Sequence, residues 1–128
     1  MTPYAAFIKE LRQRKGVSLK KFADDIGYCH TFISAVERGR KRKPTPQMIE
    51  GVITYFNLDK FEIKKLEYAV ASSDTKFTLP VNTKAEVYYL MHELMSEINN
   101  VAEHEIEIMR ILIRKKIRRY GDDNLYNY

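Results

Sequence analysis

The chain has 128 residues, which suits one small domain with an appendage or two very small domains. Hydrophobic residues make up 45% and charged residues 30%, a balance that excludes a disordered chain, and no apolar run is long enough to span a bilayer, so we expect no membrane partner. The single cysteine excludes an internal disulfide and favours a reducing, cytoplasmic location.

The excess positive charge lies at the start of the chain. The formal net charge is +5, but residues 1–43 hold 11 Lys/Arg and 4 Asp/Glu, a net +7, whereas the remainder holds 11 and 13, a net −2. Five basic residues fall within positions 38–43: Arg38, Arg40, Lys41, Arg42 and Lys43. Such a cluster favours a polyanionic partner, although a solubilising loop would have the same composition.

The scarcity of Gly, Pro and alternating patterns predicts an all-α fold. Cap residues and apolar spacing predict helices over residues 3–15, 19–26, 30–38 and 47–56, and a fifth that begins after Asp59 and ends near residue 71. In the fifth helix we expect Phe61, Leu66 and Val70 to be core residues. These helices make a domain over residues 1–71, followed by a polar linker over residues 72–82.

A second helical region is predicted over residues 83–120, with a frayed tail over residues 121–128. Two apolar seams run along it, and we expect them to form a dimer interface: Val87, Met91, Leu94 and Ile98, then Ile106, Met109, Ile113 and Ile117. The region is either one long helix or a helical hairpin. The pair Asn100 and Glu103 has the spacing of an N-cap and its N3 partner, which favours the hairpin.

The segment from residue 19 to residue 36 has the pattern of a helix-turn-helix. Two short helices that cross steeply need a small residue at the crossing and a residue tolerant of left-handed geometry in the turn. Ala23 and Gly27 meet these needs at the right spacing. Apolar residues fill the inner angle, and Asp24 and Asp25 are expected to lie away from the DNA-facing surface.

This stretch, LRQRKGVSLKKFADDIGYCHTFISAVERGRKRKP, resembles the Cro/C1-type, XRE-like family of phage repressors over about residues 5–71. The family's Glu-x-Gly ending of the third helix appears at Glu37, and its basic loop closing in proline appears at residues 40–44. The resemblance implies a five-helix, lambda-repressor-like DNA-binding domain. It also implies a structural ion pair between Arg12 and Glu37.

The same resemblance implies which residues touch DNA, with the third helix entering the major groove. The matching base-facing positions are Cys29, His30, Thr31, Ser34, Ala35 and Arg38. The positions expected at phosphates are Ser18, Lys20, Lys21, Arg40, Lys41, Arg42 and Lys43. Bidentate glutamines are missing from the base-facing set, so we expect DNA shape to contribute to specificity, and Ala35 to contact a thymine methyl.

We therefore expect a sequence-specific, homodimeric transcriptional repressor of phage or prophage type, without catalytic residues, metal or cofactor. The alternative is an antitoxin-like interaction module, in which the C-terminal helices bind a protein partner and DNA binding is autoregulatory.

Overall fold

The computed structural model describes residues 1–38 and 44–119, and for residues 116–119 it describes the backbone alone. Within these ranges the chain forms seven α-helices and no strand, which confirms the all-α prediction. The helices are α1 (Pro3–Lys15), α2 (Leu19–Ile26), α3 (His30–Glu37), α4 (Pro46–Tyr55), α5 (Lys60–Ala71), α6 (Ala85–Ser96) and α7 (Glu103–Arg119). The predicted basic loop at residues 40–43 and the predicted tail at 121–128 lie outside the described residues.

Local capping sets where the first helices begin and end. The side chains of Thr2, Ser18, Thr45 and Asp59 each accept a hydrogen bond from the backbone N–H three residues further on. Each bond satisfies one of the amides that a helix start leaves without a partner. α1 and α2 end at glycines 16 and 27, whose φ angles of 72° and 81° lie in the left-handed region that glycine adopts without strain.

The first five helices enclose one hydrophobic core. α1 packs against α3 and α5, and α2 packs against α3 and α4. Phe22 of α2 is fully buried, with the rings of Tyr55 and Phe56 at centroid distances of 5.5 and 5.4 Å. Leu66 is fully buried, as predicted, and Val70 is partly buried against the core. The prediction for Phe61 is wrong: it is 53% exposed, and the Lys65 ammonium lies 4.6 Å from its ring centroid.

The chain divides into two compact units, Met1–Phe77 and a second that begins at Thr78. This division falls inside the segment predicted as a linker, but the start of that segment belongs to the first unit. The Tyr4 backbone N–H donates to Ser73 Oγ at 2.9 Å, and Ser73 Oγ donates to the Ala69 carbonyl at 2.6 Å. Ser73 therefore joins the start of α1 to the end of α5. We call the first unit the head.

The second unit contains two helices rather than one long helix, with residues 97–102 between them. The predicted cap at Asn100 is wrong. The Ala102 backbone N–H donates to Glu105 Oε1 at 2.9 Å, and the Ala102 carbonyl accepts from the Ile106 N–H. Ala102 is thus the N-cap residue, and Glu105 is the N3 residue whose carboxylate accepts its N–H. α7 therefore begins at Glu103, two residues later than a cap at Asn100 would predict. None of the helices in the described ranges has the length and apolar content of a membrane span.

Candidate nucleic-acid interface

α2 and α3 form the predicted helix-turn-helix. Ala23 is fully buried at the crossing, and its carbonyl accepts the Tyr28 N–H at 2.9 Å across the turn. Because no side chain larger than a methyl group separates the helices there, α3 can cross closely over α2. Ile33 and Val36 fix the inner side of α3 in the core, at 2% and 4% exposure. The opposite side of α3 is left outside the core.

The outer side of α3 carries most of the predicted base-facing residues. Cys29, His30, Thr31 and Arg38 are exposed, and Ser34 is half-buried. The Arg38 guanidinium donates to Ser34 Oγ, so these two polar groups lie together. Ala35 differs from the prediction: it is buried, and the expected contact of its methyl group with a thymine does not fit this structure. The exposed residues of this set are polar or weakly polar, and none is a glutamine or asparagine.

Cys29 precedes α3 as its N-cap residue, but its side chain makes no capping hydrogen bond. Its Sγ lies 2.9 Å from Thr31 Oγ1. That hydroxyl and the backbone amides of Thr31 and Phe32 lower the pKa of the Cys29 thiol below its ordinary value, because they stabilise the thiolate. The start of α3 thus presents several hydrogen-bond groups to solvent within one turn.

The predicted phosphate-contacting residues of α2 are all exposed. Ser18 Oγ accepts the Lys21 N–H at 3.1 Å, which leaves the hydroxyl proton of Ser18 able to donate to a phosphate oxygen. Lys20 and Lys21 follow directly on the first turn of α2. The remaining predicted phosphate contacts, Arg40, Lys41, Arg42 and Lys43, lie outside the described residues.

The carboxylate of Asp25, on α2, is held by two neighbouring groups. Tyr55 O–H donates to Asp25 Oδ2 at 2.6 Å, and Lys21 Nζ lies 3.4 Å from the same oxygen. The Tyr55 hydrogen bond, followed by Lys21, lowers the pKa of Asp25, and the same bond raises the pKa of Tyr55 to about 12. The Asp25 carboxylate is therefore stabilised by a hydrogen bond from α4 and by a cation of its own helix. This contact was not visible in the sequence, since Tyr55 has the spacing of an ordinary helix residue.

Arg12 and Glu37 form the predicted ion pair between α1 and α3. Arg12 Nη2 and Glu37 Oε2 are 3.9 Å apart, and the two side chains are only 16% and 12% exposed. Within the described part of the chain, Arg12 Nε and Glu37 Oε1 are buried without a hydrogen-bond partner. Burial raises the pKa of Glu37, and Arg12 offsets this in part. The predicted ion pair is therefore present, but its charged atoms are too far apart for a hydrogen bond.

Thr2 is a second support of α3 that sequence reasoning missed. Its hydroxyl donates to the Glu37 carbonyl at 3.1 Å and accepts the Ala5 N–H at 3.1 Å. One side chain therefore caps α1 and satisfies a carbonyl at the end of α3. The capping role was visible in the sequence, but a contact over 35 residues was not.

The predicted dimer seams lie in the second unit. Val87, Met91, Leu94 and Met109 are half-buried, whereas Ile98, Ile106 and Ile113 are 48%, 43% and 61% exposed. The side chain of Ile117 lies outside the described residues. No side chain between residues 78 and 115 is buried in this structure. This unit therefore has no closed core of its own within the part described.

The head combines a buried helix crossing, a fixed third helix with an outward polar face, and cationic side chains beside it, which defines a DNA-binding unit of the helix-turn-helix class. Residues 3–66 match the family described as helix-turn-helix domain, of the XRE-like kind, so the chain belongs to that family and is a DNA-binding regulator. No curated protein and no solved structure matches the chain significantly.

Proposed function

We propose that this protein is a homodimeric transcriptional repressor of the phage-repressor type, which acts by occupying a specific site on double-stranded DNA. The observation that carries the proposal is the outer side of α3, where His30, Thr31 and Arg38 are exposed on a helix held in the core from its other side. A helix fixed in this way can present hydrogen-bond groups to base edges without first becoming ordered.

In the proposed complex the start of α3 enters the major groove. His30, Thr31 and Ser34 offer single hydrogen bonds rather than bidentate pairs, whereas Arg38, the residue directly after α3, is suited to a bidentate contact with guanine. Direct reading by this helix is therefore modest, and sequence-dependent DNA shape supplies the rest of the specificity. Cys29 lies at the groove edge as a small, weakly polar contact.

The DNA backbone supplies most of the affinity in this proposal. Ser18, Lys20 and Lys21 meet one stretch of phosphates from the start of α2, and the basic residues at positions 40–43 meet another. The net charge of +7 over residues 1–43 attracts DNA of any sequence. Contacts of this kind set the register of α3 along the groove, where the base-facing residues then discriminate.

A single head with few base contacts binds DNA weakly, whereas two linked heads bind DNA more tightly. Linking makes the second contact intramolecular, which raises affinity by roughly 10²–10⁴. Two-fold pairing requires a palindromic site, with half-sites about one helical turn, ~10 bp, or a multiple apart. The proposed action is regulatory rather than enzymatic and takes place in the cytoplasm, where the site blocks transcription when occupied.

Selection of bound sequences from random DNA with the full chain tests this function. We expect a palindromic consensus, and we expect Thr31→Ala to reduce binding to that consensus far more than binding to unrelated DNA. Lys20→Ala should weaken both to a similar extent, because a phosphate contact carries no base information. Lys64→Ala removes one exposed positive charge from α5 and is the matched control. Selection without enrichment of any sequence would overturn the proposal of sequence-specific repression.

A further inference from the structure

The second unit exposes an unusual amount of apolar surface. Ten large apolar side chains between positions 88 and 113 are each 43–68% exposed: Tyr88, Tyr89, Leu90, Met95, Ile98, Ile106, Ile108, Ile111, Leu112 and Ile113. Soluble monomers rarely leave contiguous apolar patches larger than a few hundred Å² in water. Ile106 and Ile113 of this set lie on the predicted seam of α7, and the charges along α7 indicate what covers that seam.

The charges of α7 are separated along its length. Its first turns carry Glu103, Glu105 and Glu107, whereas the part from residue 110 onward carries Arg110, Arg114 and Lys115, and the sequence continues with Lys116, Arg118 and Arg119. Two such helices side by side in parallel would place acidic against acidic and basic against basic. In antiparallel order each acidic half lies against a basic half, which favours that order by electrostatic complementarity.

The apolar residues of α7 have the same symmetry. Met109 and Ile113 lie on either side of residue 111 at equal distance, and Ile106 and Ile117 lie at nearly equal distance further out. When two copies of a helix pack antiparallel about residue 111, position 109 of one copy meets position 113 of the other, and position 106 meets position 116 or 117. The apolar stripe thus remains continuous across the two-fold axis, as an isologous interface requires.

We propose that α7 pairs with α7 of a second copy of this chain through the stripe that contains Met109 and Ile113, antiparallel, with the two-fold axis at the level of residue 111 and each acidic half against a basic half. The inference rests on the homodimer of the proposed function and adds its orientation and the residues that set it. The second copy is the occupant that the charge separation selects, because a face with this symmetry is complementary to itself.

Single-cysteine cross-linking of the full chain tests the orientation, in a Cys29→Ser background that removes the natural thiol. About a centre at the level of residue 111, position 109 of one copy lies level with position 113 of the other, whereas the two copies of position 106 are offset by about 15 Å along the helices, at 1.5 Å per residue. A disulfide needs Cα atoms within about 7 Å of each other. We expect an equimolar mixture of Met109→Cys chains and Ile113→Cys chains to form a covalent heterodimer under mild oxidation, and Ile106→Cys chains to remain uncross-linked. Cross-linking of the Ile106→Cys chains indicates parallel pairing and overturns the inference, as does a mixture in which no disulfide joins positions 109 and 113.

A charge-swapped variant gives an independent test that does not depend on apolar substitutions. Glu103→Lys, Glu107→Lys, Arg114→Glu and Lys115→Glu together reverse the charge separation. In antiparallel order this variant still pairs with itself but meets like charges when it pairs with the parent. Native mass spectrometry of the mixture should therefore show two homodimers and at least tenfold less heterodimer than random mixing yields. Abundant heterodimer overturns the antiparallel inference.

Light scattering and DNA titration of the parent chain separate the possible failures. A dimeric parent with the wrong cross-linking pattern overturns the antiparallel inference alone and leaves the homodimer in place. A monomeric parent overturns the homodimer together with the inference, and favours a different protein as the cover of α6 and α7. Loss of sequence-specific binding bears on the repressor function and leaves the helix pairing unaffected.

Discussion

Replacement of Arg12 by methionine tests how α3 is held in the head. Arg12 and Glu37 are 16% and 12% exposed, and Glu37 Oε1 has no hydrogen-bond partner within the described residues. Methionine keeps much of the length and packing of the arginine but removes its charge. The Glu37 carboxylate then remains in a poorly solvated place without a cation.

The expected loss follows from the geometry of this pair. Removing one partner of a buried ion pair costs about 3–5 kcal/mol, and a pair that is loosely engaged and not fully buried falls at the lower end, ~3 kcal/mol. For a domain of this size 1 kcal/mol changes Tm by about 4–8 °C, so we expect a drop on the order of 12–24 °C.

The loss should also depend on pH. Burial raises the pKa of Glu37 above its ordinary value of 4.5, and loss of the Arg12 charge raises the pKa further. When the pKa of Glu37 is higher in the folded than in the unfolded protein, the folded protein binds the proton more tightly. The free energy of unfolding therefore falls as pH rises from the unfolded pKa through the folded pKa. The destabilisation should therefore be large near neutral pH and become smaller as pH falls toward 4.5.

Thermal unfolding of the full chain, followed by circular dichroism, measures these effects. Arg14→Met is the matched control, because Arg14 and Glu62 are closer, at 2.9 Å, but Arg14 is 58% exposed. We expect this exposed pair to contribute less than ~1 kcal/mol. The double variant Arg12→Met, Glu37→Met should regain most of the lost stability, since apolar residues often replace a buried pair without loss. An Arg14→Met variant as unstable as Arg12→Met would refute burial as the source of the effect.

The proposed interface also predicts how salt, alkylation and pH act on the protein. Arg42→Ala with Lys43→Ala should weaken binding to all DNA and lower the log–log salt slope by about 1–2 in a fluorescence anisotropy series; an unchanged slope would show that neither residue touches phosphate. N-ethylmaleimide should modify Cys29 and block DNA binding, while Cys29→Ser keeps its binding in the reagent; full binding by the modified parent would place Cys29 outside the interface. Tyr55→Phe removes the hydrogen bond that lowers the pKa of Asp25, so an NMR titration should find that pKa raised; an unmoved value would contradict the bond.

The sequence predicted the head well because its helix boundaries are set by local chemistry. The N-caps Thr2, Ser18 and Asp59 and the glycine after α2 act within a few residues, and their spacing is visible in the chain. The ion pair was reached through the family resemblance rather than through spacing, since its partners lie 25 positions apart. Local rules therefore sufficed for the helices of the head but not for the contacts between them.

The wrong predictions have two causes. In one, two neighbouring positions fit the same capping pattern; in the others, tertiary packing decides whether a side chain is buried or exposed. Asn100 and Ala102 are both followed three residues later by a glutamate, and the structure uses the second pair. Phe61 has the apolar character of a core residue but lies outside the core. Ala35 matches a base-facing position of the family, yet the fold buries it. No pattern in one sequence shows which of two possible caps a helix uses, or which apolar side chain the fold buries.

The supports of α3 and its outward side chains are different residues, and this has a consequence for how such a regulator changes its target. Ile33 and Val36 anchor the helix from within, and Thr2 holds its final turn from the outside. His30, Thr31 and Arg38 contribute nothing to the core. In the proposed function, substitution at these three positions changes the preferred DNA sequence and leaves the core intact. A few such substitutions would give the protein a new target without compensating changes in the interior.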